Sequence, residues 1–262
     1  MEIHILGSLV LTQGAQRWGV TSRRVSAVLG LLALAPGQPM PFDHIVDELW
    51  GNEQMANAKN ALQANVTRLR KLLASVTGRK GSDLVRTVGG GYLLDVPPES
   101  VDAHRFLTLA ERGGALVDRD PVLAVRVLEE ALGMWRGAAL LDLCEGYRCR
   151  TQAAHLEERR LTAYEDLMTA KLAVGVERVP VSELRHLAAE HPGRERLSEL
   201  LMLALYRDGR QTEALDVFHR ARRRLAEDLG LEPGRSLHEV YEAILNQDDM
   251  LGRPRGSLVL TR

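Results

Sequence analysis

One segment of the sequence combines a helical apolar stripe with a cationic opposite face. Apolar residues recur at helical spacing along residues 60–73, at Leu62, Val66, Leu69 and Leu73. Because an α-helix has 3.6 residues per turn, these side chains share one face, and the segment is predicted to be an amphipathic helix. Residues 84–94, with three glycines at 89–91, predict a hairpin directly after it. The two patterns together require a small mixed unit of helices and strands in this part of the chain.

The face opposite the stripe is polar, cationic and narrow at its centre. It contains Asn60, Ala64, Thr67, Arg68 and Lys71. The small Ala64 permits close approach, while amide, hydroxyl and guanidinium groups flank it. This arrangement suits a helix that enters a DNA major groove and contacts base edges. The alternative is an ordinary solvated surface helix, which such patterns indicate more often when taken alone.

The distribution of charge favours the nucleic-acid interpretation. Residues 59–86 contain seven cations and one anion, a local net charge of +6, while the whole chain has a formal net charge of −1. A cationic strip in an otherwise neutral protein is typical of a surface that binds the phosphate backbone. Residues 1–97 sum to +3 and residues 98–262 to −4. This asymmetry suits DNA on one part of the chain and protein on the other.

Length and composition set the domain organisation. At 262 residues the chain exceeds a usual single domain, so two domains are expected. Aromatic residues make up only 4%, and the apolar residues are mostly Leu, Ala and Val, which favours helical packing. The sequence contains no apolar run of the roughly 18 residues that a membrane span needs, and the N-terminus lacks the basic region of a signal peptide. A cytoplasmic protein without membrane contact is expected.

Catalytic, cofactor and metal motifs are not found in the sequence. Residues 78–82 lack the glycine that precedes the lysine of a phosphate-binding loop, and His155 lacks the second histidine of a zinc protease helix. Cys144 and Cys149 have no second pair, so they form no zinc motif and are predicted to be free thiols. The prediction is a protein with no catalytic residues, no cofactor and no metal.

The order of elements in the first 97 residues is predicted from changes in periodicity. Alternation between residues 3 and 11 indicates two strands, and Thr21 or Ser22 caps a helix that continues to about Leu34. Residues 42–51 predict a short second helix closed by Gly51. The cationic helix and the hairpin follow.

This order resembles the winged-helix DNA-binding domain of response-regulator type. The residues that support the resemblance are Leu49-Trp50-Gly51, Val66-Thr67-Arg68-Leu69-Arg70-Lys71-Leu72 and Thr87-Val88-Gly89-Gly90-Gly91-Tyr92. In such domains the hairpin forms the wing. Wings of this type often have an arginine at the position of Gly89 that reaches into the minor groove, and this sequence differs there.

The remainder of the chain is predicted to be helical and contains a degenerate repeat. Ala124-x3-Leu128-x2-Ala131 recurs as Ala214-x3-Phe218-x2-Ala221, and residues 206–215 contain a turn typical of tetratricopeptide-like helix pairs. Small residues at these positions allow close helix approach. An ordinary helical bundle is the alternative.

Taken together, the two halves resemble the Streptomyces antibiotic regulatory protein family. The C-terminal residues that match its bacterial transcriptional activation domain are 204–210, Glu213-Ala214-Leu215, 225–234 and Leu237 onward. The resemblance implies an activator of secondary-metabolite (antibiotic) gene clusters that binds direct repeats in double-stranded promoter DNA and contacts RNA polymerase and its sigma factor. It leaves open whether the protein forms a homodimer alone or pairs only on tandem sites, where direct repeats favour head-to-tail packing.

The predicted architecture is mainly α with small β, and it has three parts. Residues 1–97 form a winged helix-turn-helix domain, residues 98–251 an all-α tetratricopeptide-like activation domain, and residues 252–262 a flexible tail. The residues predicted to face DNA bases are Asn60, Ala64, Thr67 and Arg68, and those predicted to contact the DNA backbone are Lys59, Arg70, Lys71, Arg86 and Thr87. The alternative function is a helical-repeat adaptor whose winged helix binds protein and does not read DNA.

Overall fold

The computed structural model describes residues 1–51, 57–143, 146–175, 180–248 and 251. Within them the fold is mainly helical with two small sheets, so the predicted fold class is confirmed. The chain forms two compact units, the first made of Met1–Glu111 and Glu129–Leu161, and the second of Arg112–Leu128 together with the chain from Thr162 onward. The domain boundary that was predicted between residues 97 and 98 stays a prediction.

Two three-stranded antiparallel sheets lie in the first unit. The N-terminal sheet has the order β1 (Glu2–His4), β2 (Val10–Gln13), β3 (Gln16–Gly19). The second sheet has the order β4-β6-β5, from β4 (Met40–Pro41), β5 (Val85–Val88) and β6 (Gly91–Leu94). Two N-terminal strands were expected from the sequence. β3 was not predicted, because its exposed polar residues give no alternating pattern, and neither was the two-residue β4.

The helices of the described chain include the three that were predicted in the first 97 residues, in the predicted order, and a short one at Gly81–Leu84 that was not predicted. In the first half they are α1 (Arg23–Ala33), α2 (Phe42–Trp50), α3 (Ala58–Thr77), the short α4 (Gly81–Leu84), a 3₁₀ turn (Pro98–Ser100), α5 (Asp102–Leu116) and α6 (Pro121–Leu132). In the second half they are α7 (Tyr147–Val174), α8 (Val181–Glu190), α9 (Glu195–Arg207), α10 (Gln211–Leu229) and α11 (Arg235–Leu245). Ser22 precedes α1, as one of the two predicted caps, although its side chain makes no capping hydrogen bond.

The core of the winged-helix region forms around α1, whose residues from Val25 to Ala33 are all buried. The predicted stripe of α3 packs into this core, since Leu62, Val66, Leu69 and Leu73 are each at most 1% exposed. Leu84 and Val85 seal the base of the hairpin. The buried stripe therefore fixes which face of α3 remains on the surface.

The first unit extends beyond residue 97 through hydrogen bonds that backbone N–H groups donate to buried or partly buried carboxylates. Asp102, 7% exposed, accepts hydrogen bonds from the backbone N–H groups of Ile5 and Leu6 at 2.8 and 3.2 Å. Glu48 on α2 accepts hydrogen bonds from the N–H groups of Arg148 and Cys149 at the start of α7. The winged-helix region thus shares a unit with parts of the chain about a hundred residues away.

In the second unit, each helix from α8 to α11 packs against the next one along the chain. The α9–α10 turn has Gly209 at a φ of 76°, in the left-handed region that favours glycine. Ala214 and Phe218 of the predicted repeat are buried, and Phe218 stacks on Tyr241 of α11 at a ring-centroid distance of 4.1 Å. The predicted helix pair at residues 206–215 is confirmed.

Three further predictions concern the cysteines, the C-terminal tail and membrane-spanning helices. Cys149 is disulfide-bonded, so the prediction of a free thiol there was wrong; Cys144 lies outside the described residues. The predicted flexible tail at 252–262 also lies outside them. Among the described helices, none has the length and apolar character to cross a membrane.

Candidate nucleic-acid interface

The surface face of α3 contains the predicted base-facing residues. Asn60, Ala64, Thr67 and Arg68 are all exposed, as are Lys59 and Lys71 beside them. Because the apolar stripe is buried on the opposite side, this face cannot turn inward without losing the core. We call these six residues, together with Gln63, the α3 outer face.

The polar groups of the outer face are only partly used within the protein. The Thr67 hydroxyl donates to the carbonyl of Gln63 at 2.8 Å, and the Asn60 amide donates to the side-chain oxygen of Asn57 at 3.1 Å. Within the described chain, Arg68, Lys59 and Lys71 make no hydrogen bond or ion pair. Charged donors without an internal partner are available to an external anion or base edge.

Sequence reasoning missed Gln63. It is exposed and lies one turn before Thr67 on the outer face. Its carboxamide has both a donor and an acceptor, the pair that reads adenine in the major groove. Gln63 precedes Thr67 by four residues, and residues at this spacing lie on the same face of a helix, so its place on this face could have been predicted from the sequence.

Arg70 connects α3 to the hairpin. Its Nε donates to the carbonyl of Val85 at 2.9 Å, and its Nη2 donates to the hydroxyl of Thr87 at 2.9 Å. The guanidinium also lies 5.9 Å from the ring centroid of Tyr92. Arg70 is half-buried, so its first role is to position the hairpin against α3, and its predicted contact with the DNA backbone stays a prediction.

The hairpin has the geometry of a short wing. Val85 pairs with Leu94 and Val88 with Gly91, which leaves Gly89 and Gly90 as a two-residue turn. Their φ angles of 53° and 81° are both positive, as a type I′ turn requires. A Cβ on Gly91 would overlap the backbone carbonyl of Met40, so glycine is needed there for β6 to pair with β4.

The two other wing residues predicted to contact DNA also have partners within the protein. Arg86 forms an exposed ion pair with Asp95 at 3.0 Å, and Thr87 accepts the hydrogen bond from Arg70. An exposed pair of this kind is weak and exchanges readily with other partners. The structure therefore brings all nine predicted residues onto α3 and the adjoining wing, with the unpaired cations on α3.

Comparison with known protein families gives two matches. Residues 101–245 match the model of the bacterial transcriptional activator domain, and residues 20–94 match that of the C-terminal domain of transcriptional regulatory proteins. The first match covers more than half of the chain. The second contains α1 to β6, and therefore both α3 and the wing.

Individual relatives match over almost the full chain. The transcriptional regulator RedD of Streptomyces coelicolor is 43% identical over 97% of this chain and 73% of its own length. The regulatory protein DnrI of Streptomyces peucetius is 36% identical over 97% of this chain and 95% of its own length.

A solved structure shows the same fold. The structure of Mycobacterium tuberculosis EmbR in complex with a low affinity phosphopeptide matches with a TM-score of 0.87 at 30% identity. The match covers 94% of this chain and 65% of the EmbR chain. With both domain matches, these relatives show that the chain belongs to the Streptomyces antibiotic regulatory protein family, whose members are transcriptional activators and not enzymes.

Proposed function

We propose that this activator binds promoter DNA by inserting α3 into the major groove, with the α3 outer face on the base edges and the wing along the backbone. The observation that supports this most is the combination of exposure and free charge on α3. Arg68 and Lys71 are exposed and make no hydrogen bond or ion pair within the described chain, and the helix beneath them is fixed by four buried apolar side chains. A rigid helix with unpaired cations suits a reader of DNA sequence.

We assign different tasks to the two cations. Arg68 lies one turn after Ala64 on the outer face, where a guanidinium can donate two hydrogen bonds to guanine. Lys71 lies one turn after Thr67, where an ammonium contacts phosphate. Base contacts specify a sequence, whereas phosphate contacts position the protein on any sequence.

The finer features of the proposal come from the family. The protein would activate a secondary-metabolite cluster from direct repeats in the promoter, with two copies bound head to tail, and would recruit RNA polymerase through its sigma factor. It would act in the cytoplasm, where DNA and polymerase meet. The acidic balance of residues 98–262 supports a protein partner for the helical part.

The test is selection of bound duplexes from a random DNA pool at physiological salt, followed by fluorescence anisotropy on the enriched sequence. Arg68→Ala is expected to relax the selected sequence, because one bidentate contact contributes about 1–3 kcal/mol of discrimination. Lys71→Ala is expected to weaken all sequences alike and to lower the slope of log affinity against log salt by about one.

A matched control is Arg112→Ala, which removes an exposed arginine from the second unit. It is expected to change neither the sequence nor the salt slope. Selection of an unchanged sequence by Arg68→Ala would show that the reading face is assigned wrongly. If the wild-type protein enriches no sequence, the DNA proposal fails and the adaptor function takes its place.

A further inference from the structure

A groove of about 230 Å³ lies within the second unit, between α8 and α10. Leu201 of α9 and Val217 of α10 are almost fully buried and form an apolar floor. Ala188 and Ala221 line the sides. Because these side chains are small, another chain can approach the two helices closely.

The rim of the groove is cationic. Arg185, Arg220 and Arg224 line it, and no carboxylate is among the described lining residues. Arg185 is paired with Glu213 at 3.0 Å. Arg224 donates a single hydrogen bond, to the carbonyl of Ala189 at 3.3 Å, and Arg220 has no partner within the described chain. Two guanidinium groups at the rim therefore retain free donors.

The positive charge of residues 220–224 in α10 contrasts with the net negative charge of the surrounding sequence. Residues 98–262 have a net charge of −4, yet residues 220–224 contain four arginines and no acidic residue. Arg222 is bound to Glu232 at 2.8 Å and does not line the groove. Arg220 and Arg224, by contrast, line the groove and have no acidic partner within the described chain.

A hydroxyl adds a polar group to the groove. Ser198 lines the groove, and its side chain makes no hydrogen bond within the described chain. A serine hydroxyl both donates and accepts hydrogen bonds, so it can bind a polar group of a ligand in the groove.

The size and chemistry of the groove indicate the class of ligand. Pockets for drug-sized molecules usually measure roughly 300–1,000 Å³, so this groove fits one or two side chains. Arg220 and Arg224 are one helical turn apart, about 6 Å along the axis, which suits two carboxylates of one segment. The apolar floor favours a peptide over a nucleic acid, because a nucleic-acid backbone offers no apolar side chain to bury.

We propose that the groove between α8 and α10 binds an acidic peptide segment of a second protein. Its carboxylates would pair with Arg220 and Arg224, and an apolar side chain would cover Leu201 and Val217. The proposal rests on the proposed function in one respect only, namely that an activator acts through a protein partner. DNA binding belongs to the first unit and is measured separately.

The experiment is selection from a displayed library of random 12-residue peptides with the full-length protein, followed by anisotropy on the enriched peptides. Enriched peptides are expected to contain Asp or Glu next to an apolar residue. Arg220→Glu is expected to weaken their binding by about tenfold or more, because like charges then face each other across the contact. Ala221→Leu, which fills the groove without changing charge, is expected to weaken it too.

Arg223→Glu is the matched control, because it changes the same charge on the same helix outside the groove. It is expected to retain peptide binding, and circular dichroism of each variant checks that the helices are intact. Enrichment of peptides without acidic residues, or equal losses in Arg220→Glu and Arg223→Glu, would overturn the proposal. Selection of the DNA sequence is expected to be unchanged in Arg220→Glu, so a failure of the DNA proposal is recognised independently.

Discussion

At the scale of single residues, Arg70 shows how one side chain joins two elements. Its guanidinium donates to Val85 and Thr87 of the wing and lies over Tyr92. Periodicity in the sequence places Arg70 beside the outer face, but it says nothing of its partners, which follow 15 and 17 residues later. A planar fork of donors makes these contacts together, and lysine has no equivalent.

Arg70→Lys is expected to lower the free energy of unfolding by about 1–2 kcal/mol, because it keeps the charge and loses the two aligned hydrogen bonds. Urea unfolding followed by tryptophan fluorescence measures this loss. Thr87→Val removes one acceptor and is expected to cost less, and the double variant less than the sum of both. Fully additive losses would show that the two side chains do not act together.

Glu165 is a second residue with a measurable effect, in the second unit. Its side chain is 14% exposed, Arg194 contacts one of its oxygens at 3.0 Å, and the other has no hydrogen-bond partner within the described chain. Burial raises the pKa of Glu165 to about 7, an effect that outweighs the attraction of Arg196. The folded state therefore holds a proton that the unfolded chain releases near pH 4.5.

Because the folded state binds this proton more tightly, the contribution of Glu165 to stability is present below pH 4.5 and is lost as the pH rises to about 7. Relative to Glu165→Gln, the wild-type free energy of unfolding is expected to fall across this window by at most about 1.4 kcal/mol per pH unit. Urea titrations of both proteins at several pH values provide the difference. If the free energies of unfolding of the two proteins change in parallel with pH, the ion pair with Arg194 keeps Glu165 ionised throughout.

At the scale of elements, the wing depends on two glycines for different reasons. Gly89 is exposed at a turn position with positive φ, where asparagine is also favoured. Gly91 has no positive φ, and the restriction there is the backbone of Met40. The turn was predictable from the local sequence, whereas the contact with Met40 was not, because β4 has only two residues and lies about fifty positions earlier.

Gly91→Ala is expected to separate β4 from β6 and to destabilise the first unit by more than about 2 kcal/mol, since backbone atoms must move. Gly89→Asn is the matched variant and is expected to change stability by less than about 1 kcal/mol. Chemical denaturation compares the two, and hydrogen exchange at Tyr92 locates the change. Equal destabilisation by both substitutions would mean that the turn conformation, and not the contact with Met40, determines the stability of the wing.

At the scale of the whole molecule, the first unit combines segments that are far apart in sequence. The helices α1, α2 and α3 were predictable because each is encoded by its own periodicity, whereas the four-residue α4 was not. The roles of Asp102 and Glu48 were not, because their partners lie 97 and 100 residues away and no local pattern marks them. All three tryptophans, Trp18, Trp50 and Trp135, belong to this unit, so their fluorescence reports its unfolding.

Asp102→Asn is expected to destabilise the first unit by about 1–3 kcal/mol, because an amide has one acceptor oxygen where the carboxylate uses two. The unfolding transition, followed by tryptophan fluorescence, is expected to shift to a lower urea concentration. Asp95→Asn, an exposed carboxylate whose ion pair is with Arg86, is the control and should have little effect. Unchanged unfolding in Asp102→Asn would show that Ile5 and Leu6 obtain other partners.

The attachment of the wing to α3 through Arg70 has a consequence for operator choice. A helix and a hairpin held together before binding need little reordering on DNA, so less conformational entropy is lost. In the proposed DNA complex, their fixed separation also has to fit the width of the grooves, and groove width varies with base sequence. We therefore expect operator preference at base pairs that no side chain contacts, and we expect Arg70→Lys, which loosens the wing, to weaken that preference first.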